Sequence, residues 1–172
     1  MATIDSYSET NVGYYYGLSA GGQIHLSQSF EGHGATISSV KFYVYKEGTP
    51  PGNIIVSLYA HSGTFGTSSV PTGAALASVT VSADSINTSP AQLVEFTFSS
   101  PYVMTAQYYV VAIEYNNGDV SNRVRVGADL TGAHAGNLAA ASAGWTPGPD
   151  YDAAFYALGT LPANTGNMFM VL

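Results

Sequence analysis

An all-β fold, an antiparallel β-sandwich of jelly-roll type, is what this chain of 172 residues predicts, and three observations carry the prediction. Apolar and polar residues alternate in run after run, the period of a strand with one buried face. Clusters of Gly, Pro, Asn and Asp separate those runs at short intervals. No window carries a sustained 3.6-residue apolar period. About eight to ten short strands at this spacing form a sandwich or barrel.

Residues 1–22, with the run Tyr14, Tyr15 and Tyr16, are expected as an N-terminal arm ahead of the first strong strand. Residues 23–30 alternate Ile24, Leu26 and Phe30 against His25, Ser27 and Ser29. Residues 40–61 are the most regular stretch. Val40, Phe42 and Val44, then Ile54, Val56, Leu58 and Ala60, lie on either side of the turn EGTPPGN at 47–53. The polar side of this pair carries Lys41, Tyr43, Tyr45, Ser57, Tyr59 and His61, so one shared aromatic face is expected.

Residues 61–75 are rich in Ser, Thr and Gly and are expected as a long loop anchored by Phe65 and Val70. Strands over 76–81 and 93–98 follow, the second burying Val94, Phe96 and Phe98. Residues 108–115 (YYVVAIEY) are mostly apolar on both sides, which predicts a central strand covered on each face. Strands are expected at 122–128 and 153–158. The alanine-rich segment 133–143 is the one helix candidate, but Gly136 and Gly144 bracket it and a short irregular loop is expected instead. Met168, Phe169, Met170, Val171 and Leu172 end the chain; they are expected to close as a last strand or to pack on a neighbouring subunit. A single domain over 1–172, with 160–172 as tail or last strand, accommodates all of this.

Charged residues make up only 9% of the chain, and its net charge is −7. The four cations, Lys41, Lys46, Arg123 and Arg125, make no basic footprint, which argues against nucleic acid as a partner. There is no cysteine, so disulfides and thiolate metal sites are excluded. No apolar run is long enough to insert into a membrane. The start MATIDSYSETN lacks the basic and apolar regions of a signal peptide. A virion or extracellular surface is the expected location, reached after removal of a leader or by release on lysis.

Candidate chemistry is sparse. Asp150 and Asp152 in GPDYD, and Asn116, Asn117 and Asp119 in NNGD, are closely spaced oxygen ligands. Calcium takes six to eight oxygens, so either loop would need remote partners such as Glu31 or Asp129. Ordinary turn chemistry is favoured for both, with Asp150 and Asp152 kept as candidate ligands of a structural calcium. His25, His33, His61 and His134 show no metal-ligand spacing. There is no GxSxG elbow. Glu95 and Glu114 could serve glycoside hydrolysis only if they faced one another across a cleft, and Glu95 alternates out of the core. No enzyme is expected.

Aromatic residues are the remaining signal, with thirteen tyrosines and one tryptophan. Tyr43, Tyr45, Tyr59 and Trp145 are candidates for stacking on glycans or anchoring a protein partner. Cross-strand tyrosine pairs that stabilise a sheet are the plainer alternative.

Several segments follow a recognisable order: QSF at 28–30, ISSVKFYVYKEGTPPGNIIVSLYAHSG, PTGAALAS at 71–78, VEFTFSSPYVMTAQYYVVAIEY at 94–115, and W…DYDAAFYALG at 145–159. Together they resemble the β-sandwich module of the choice-of-anchor R group of bacterial surface proteins and of many phage and metagenomic structural proteins. The resemblance spans roughly residues 28–159. It implies a sandwich similar to carbohydrate-binding modules, without catalysis and without a cofactor other than a structural calcium at Asp152. The expected function is a decoration, cement or fibre module of a virion or similar particle. Its partners would be its own subunits or a capsid or tail scaffold. The alternative is a carbohydrate-binding module of an extracellular bacterial protein, with polysaccharide as the partner.

Overall fold

The computed structural model describes residues 1–163, so Met168, Phe169, Met170, Val171 and Leu172 lie outside the described residues. Thirteen strands are found among those described: β1 (Ala2–Tyr7), β2 (Tyr14–Leu18), β3 (His25–Glu31), β4 (Thr36–Glu47), β5 (Asn53–Ser62), β6 (Val70–Ser82), β7 (Gln92–Val103), β8 (Tyr108–Glu114), β9 (Arg123–Asp129), β10 (Leu138–Ala141), β11 (Trp145–Gly148), β12 (Asp152–Ala153) and β13 (Phe155–Thr160). They form two antiparallel sheets, and the fold is an all-β sandwich. Among the described residues no helix is long and apolar enough to cross a membrane.

In the first sheet the long β4 pairs with β7 along one edge. Two strands share its other edge, β13 along residues 36–42 and β9 along 44–47. β1 adds outside β13, and β2 adds outside β9. The second sheet has the order β11-β10-β3-β8-β5-β6.

Alternation places the core between the sheets. Val40, Phe42 and Val44 of β4 and Ile54, Val56 and Leu58 of β5 are fully buried, as their spacing predicts. Phe30 meets Phe155 with ring centroids 6.1 Å apart, and Phe42 meets Phe96 at 6.4 Å. Burying each such side chain contributes about 1.5–3 kcal/mol. β8 lies inside the second sheet between β3 and β5, and its outward-facing Val110 and Ala112 are buried as well. That matches its two-sided apolar composition.

Several expectations are corrected. β4 and β5 do not share one face; the turn between them carries the chain across to the second sheet. Gly48 and Gly52 take positive φ there, and Tyr115 Oη donates to the Pro51 carbonyl. Local alternation says which way a side chain points but not which strand lies alongside. The first 22 residues are no arm, because Ile4, Tyr7 and Leu18 are buried and β1 and β2 complete the first sheet. Residues 138–141 are a strand, where four small or aliphatic residues fit a tightly covered place between β3 and β11. β6 starts at Val70, so the preceding loop is shorter than expected. Ser69 N–H donates to Asn137 Oδ1 and Asn137 Nδ2 donates to the Ser69 carbonyl, which ties this loop to the start of β10.

Candidate functional site

The predicted tyrosine face divides in two. Tyr43 and Tyr45 point outward from β4 in the first sheet, whereas Tyr59 points outward from β5 in the second. They therefore lie on opposite sides of the sandwich. Trp145 stands on the edge strand β11, with its ring 5.4 Å from His25. No single site contains all four residues.

Tyr15 of β2 takes the place expected for Tyr59. Its ring centroid is 6.3 Å from Tyr43 and 5.2 Å, edge-on, from Tyr45. Antiparallel pairing of β2 with β9, and of β9 with β4, creates this cluster. Two glycines make room for it. A Cβ on Gly127 would lie 3.0 Å from both Tyr43 Cδ1 and Val12 Cγ2, and one on Gly17 would lie 3.0 Å from Arg123 Nη1. Arg125 donates to the Tyr15 carbonyl at 3.1 Å and to Tyr45 Oη at 3.4 Å. Arg123 and Arg125 both pair with Glu47. Burial pushes the Glu47 carboxyl up, but the Arg123 hydrogen bond and the Arg125 charge outweigh it and hold the group below its ordinary value. Lys41 pairs with Glu95 on the same face.

The acid–base candidates are dispersed. Glu95 faces outward from the first sheet, where it accepts from Ser39 Oγ at 2.6 Å. Glu114 faces outward from the second, 3.0 Å from His25 Nε2. The two carboxylates lie on opposite faces and cannot flank one glycosidic bond. His25 lies opposite Glu114 of β8, while His61 packs at Tyr108 at the other end of that strand. Six residues of strand separate these positions by about 20 Å. His33 pairs with Glu31 at 3.5 Å.

Asp150 and Asp152 do not form a calcium pair. Asp150 is exposed in the turn, whereas Asp152 is buried between the sheets. Asp152 Oδ1 accepts from Gln28 Nε2 at 2.9 Å, and its Oδ2 accepts from the amides of Ala133 and His134 at 3.1 and 3.0 Å. Both oxygens already face N–H donors where a cation would need lone pairs. Among the described residues no three His, Asp or Glu side chains are placed to hold a metal ion. Asp119 accepts from the amides of Ser121 and Asn122, as turn chemistry predicts.

Asp152 belongs to a buried polar network that local patterns did not reveal. Gln28 is fully buried and also accepts from the Ala153 amide at 2.8 Å. The Gly136 amide donates to His134 Nδ1 at 2.9 Å, so the His134 proton sits on Nε2 and is donated to Asp5 Oδ1 at 3.1 Å. Tyr7 Oη donates to Asp129, and burial together with that bond pushes the Tyr7 phenol up. Burial alone would raise Asp5, but His134 and the amides of Glu31 and Ser6 hold it below its ordinary value. Burial dominates at Asp152 and raises it. One sequence signal pointed here: alternation puts Gln28 inward between Leu26 and Phe30.

One end of the sandwich carries a pocket of about 340 Å³, lined by His61, Leu76, Tyr102, Gln107 and Tyr108 among others. Only His61 of these appeared in the expected polar face. The chain matches no protein-family model, no curated protein and no solved structure.

Proposed function

We propose that this protein is a non-catalytic structural module on the surface of a virion or similar particle, of the decoration, cement or fibre kind. It engages protein neighbours, first of all copies of itself, through the outer face of its first sheet. The observation that carries this reading is the packed Tyr15–Tyr43–Tyr45 cluster with Arg125 bonded to two of its members. Tyrosine and arginine are among the residues most enriched at the energetic centres of interfaces. Rings held by their neighbours before contact lose little conformational freedom on binding. Glu47 pairs with both arginines and offsets part of their charge, so the face selects a partner by shape and hydrogen bonding as well as by charge.

The non-catalytic part of the reading is supported by how the acidic groups are engaged. Glu95 is held by Ser39 and Lys41, Glu114 by His25, and Asp152 by three N–H donors. Light scattering after size exclusion tests the proposal. The wild type is expected to form a closed oligomer. The double variant Tyr43→Ala/Tyr45→Ala is expected to be monomeric at the same concentration, and to lose about 1–2 kcal/mol of stability with its cross-strand contacts. A monomeric wild type, or a double variant that assembles unchanged, overturns the proposal.

A further inference from the structure

The pocket at the end where β7 turns into β8 is built from fixed parts. Tyr109 Oη accepts the amides of Thr105 and Ala106 at 2.8 and 2.9 Å, which clamps the turn at the rim. The Gly32 amide donates to the Gln107 carbonyl at 2.8 Å and holds the other side of that turn. Phe65 stacks on Tyr108 with centroids 4.0 Å apart and planes 13° apart. His61 packs 5.6 Å from the same ring and bonds Ser69 Oγ at 2.9 Å. Tyr102 stands edge-on to Tyr109 at 6.2 Å. The walls are therefore set before a ligand arrives, which lowers the entropy lost on binding.

Its chemistry is selective. Among the described residues, no Asp, Glu, Lys or Arg lines the pocket. Burial holds His61 below the usual histidine value, so its imidazole is uncharged at neutral pH. The polar groups at hand are all neutral: the Tyr102 and Tyr108 hydroxyls, the Gln107 amide, the Thr105 hydroxyl and the His61 ring. Neutral donors and acceptors beside aromatic surfaces suit a ring with an apolar C–H face and a rim of hydroxyls. A volume of 340 Å³ is near the lower end of ligand pockets, which run from about 300 to 1,000 Å³. The ligand is thus small, or it is the end of a longer chain that continues into solvent.

We infer that this pocket binds the terminal unit of a neutral glycan, with the Tyr102 and Tyr108 rings against the sugar ring and the Gln107 amide, the His61 ring and the Tyr102 hydroxyl on its hydroxyls. The inference stands apart from the assembly proposal, since the two sites share no residue.

The 172-residue chain is titrated with glucose, galactose, mannose and N-acetylglucosamine and with their disaccharides. Glucuronate and sialic acid serve as charged counterparts. Isothermal calorimetry gives affinity, and the His61 ring signals in NMR report the place of binding. At least one neutral sugar is expected to bind and shift His61. Gln107→Ala and Tyr102→Phe should each weaken that sugar by about 3- to 10-fold, the value of one net hydrogen bond. Gln107 is exposed on its turn, so its variant keeps the fold intact. Tyr43→Ala/Tyr45→Ala should leave sugar affinity unchanged. The inference is overturned if no neutral sugar binds. A charged sugar that binds as tightly as its neutral counterpart, or unchanged affinity in both Gln107→Ala and Tyr102→Phe, overturns it equally.

Discussion

Asp152→Ala probes the buried network most directly. The substitution removes the acceptor of three N–H groups, those of Gln28 Nε2, Ala133 and His134. Gln28 retains other partners, the Ser29 carbonyl at 3.4 Å and His134 Nδ1 at 3.3 Å. The two backbone amides lose the side chain that satisfies them. A buried donor left unpaired costs about 1–3 kcal/mol; these two amides are only partly buried, so together with a loosened Gln28 they cost about 2–4 kcal/mol. In a chain of this size that lowers Tm by about 4–16 °C. Urea denaturation and calorimetry measure it. Asp152→Asn keeps one acceptor and should fall between the wild type and Asp152→Ala. A loss below about 1 kcal/mol in Asp152→Ala would refute the network as a structural tie. A second arm decides between amide donors and calcium at this carboxylate. EDTA should leave the wild-type Tm within about 1 °C, because only a bound ion adds linkage free energy to the native state.

The acid limb of stability follows from the shifted carboxylates. Hydrogen bonds from Tyr7 and Thr131 hold Asp129 below its ordinary value, and Asp5 is also depressed. A depressed group contributes stability above its unfolded value, about 4, and that contribution is lost as pH falls through the folded value. Asp152 has the opposite sign: raised by burial, it contributes below the unfolded value and loses that contribution as pH rises through its folded one. Tyr7→Phe should cost about 1.5–3 kcal/mol at pH 7 and flatten the fall in stability below about pH 4. Identical acid limbs in variant and wild type would remove Asp129 from the explanation. Gly127→Ala should cost about 1–3 kcal/mol, because its new methyl meets Tyr43 and Val12 at 3.0 Å. Urea midpoints check this, and an unchanged midpoint would mean that the tyrosine face yields without strain.

Much of the fold was legible along the chain. Val40, Phe42 and Val44, and likewise Ile54, Val56 and Leu58, announced both strand and buried side, since the direction of a side chain repeats every two residues. The two-sided apolar run at Tyr108–Glu114 announced a strand inside a sheet. Alanine gives no strand signal of its own, so β10 was hidden until its neighbours β3 and β11 were in place. The N-terminal strands were hidden for a similar reason, as their pairing partners β13 and β9 come more than 100 residues later.

The sites were less legible because contacts across the sandwich have no local period. His61 was visible in an alternating run, but Tyr102, Gln107 and Tyr108 join it from β7, β8 and the turn between them. Gln28, Asp152, His134 and Asp5 meet only after four distant segments converge. Fold class, strand periodicity and the buried side of the principal strands are written along the chain, because these depend on neighbours two residues away. The parting of Tyr59 from Tyr43 and Tyr45, and the inward turn of Asp152 to amides, emerge once the two sheets assemble. Those outcomes depend on which sheet each strand joins, and burial of the whole apolar surface settles that choice.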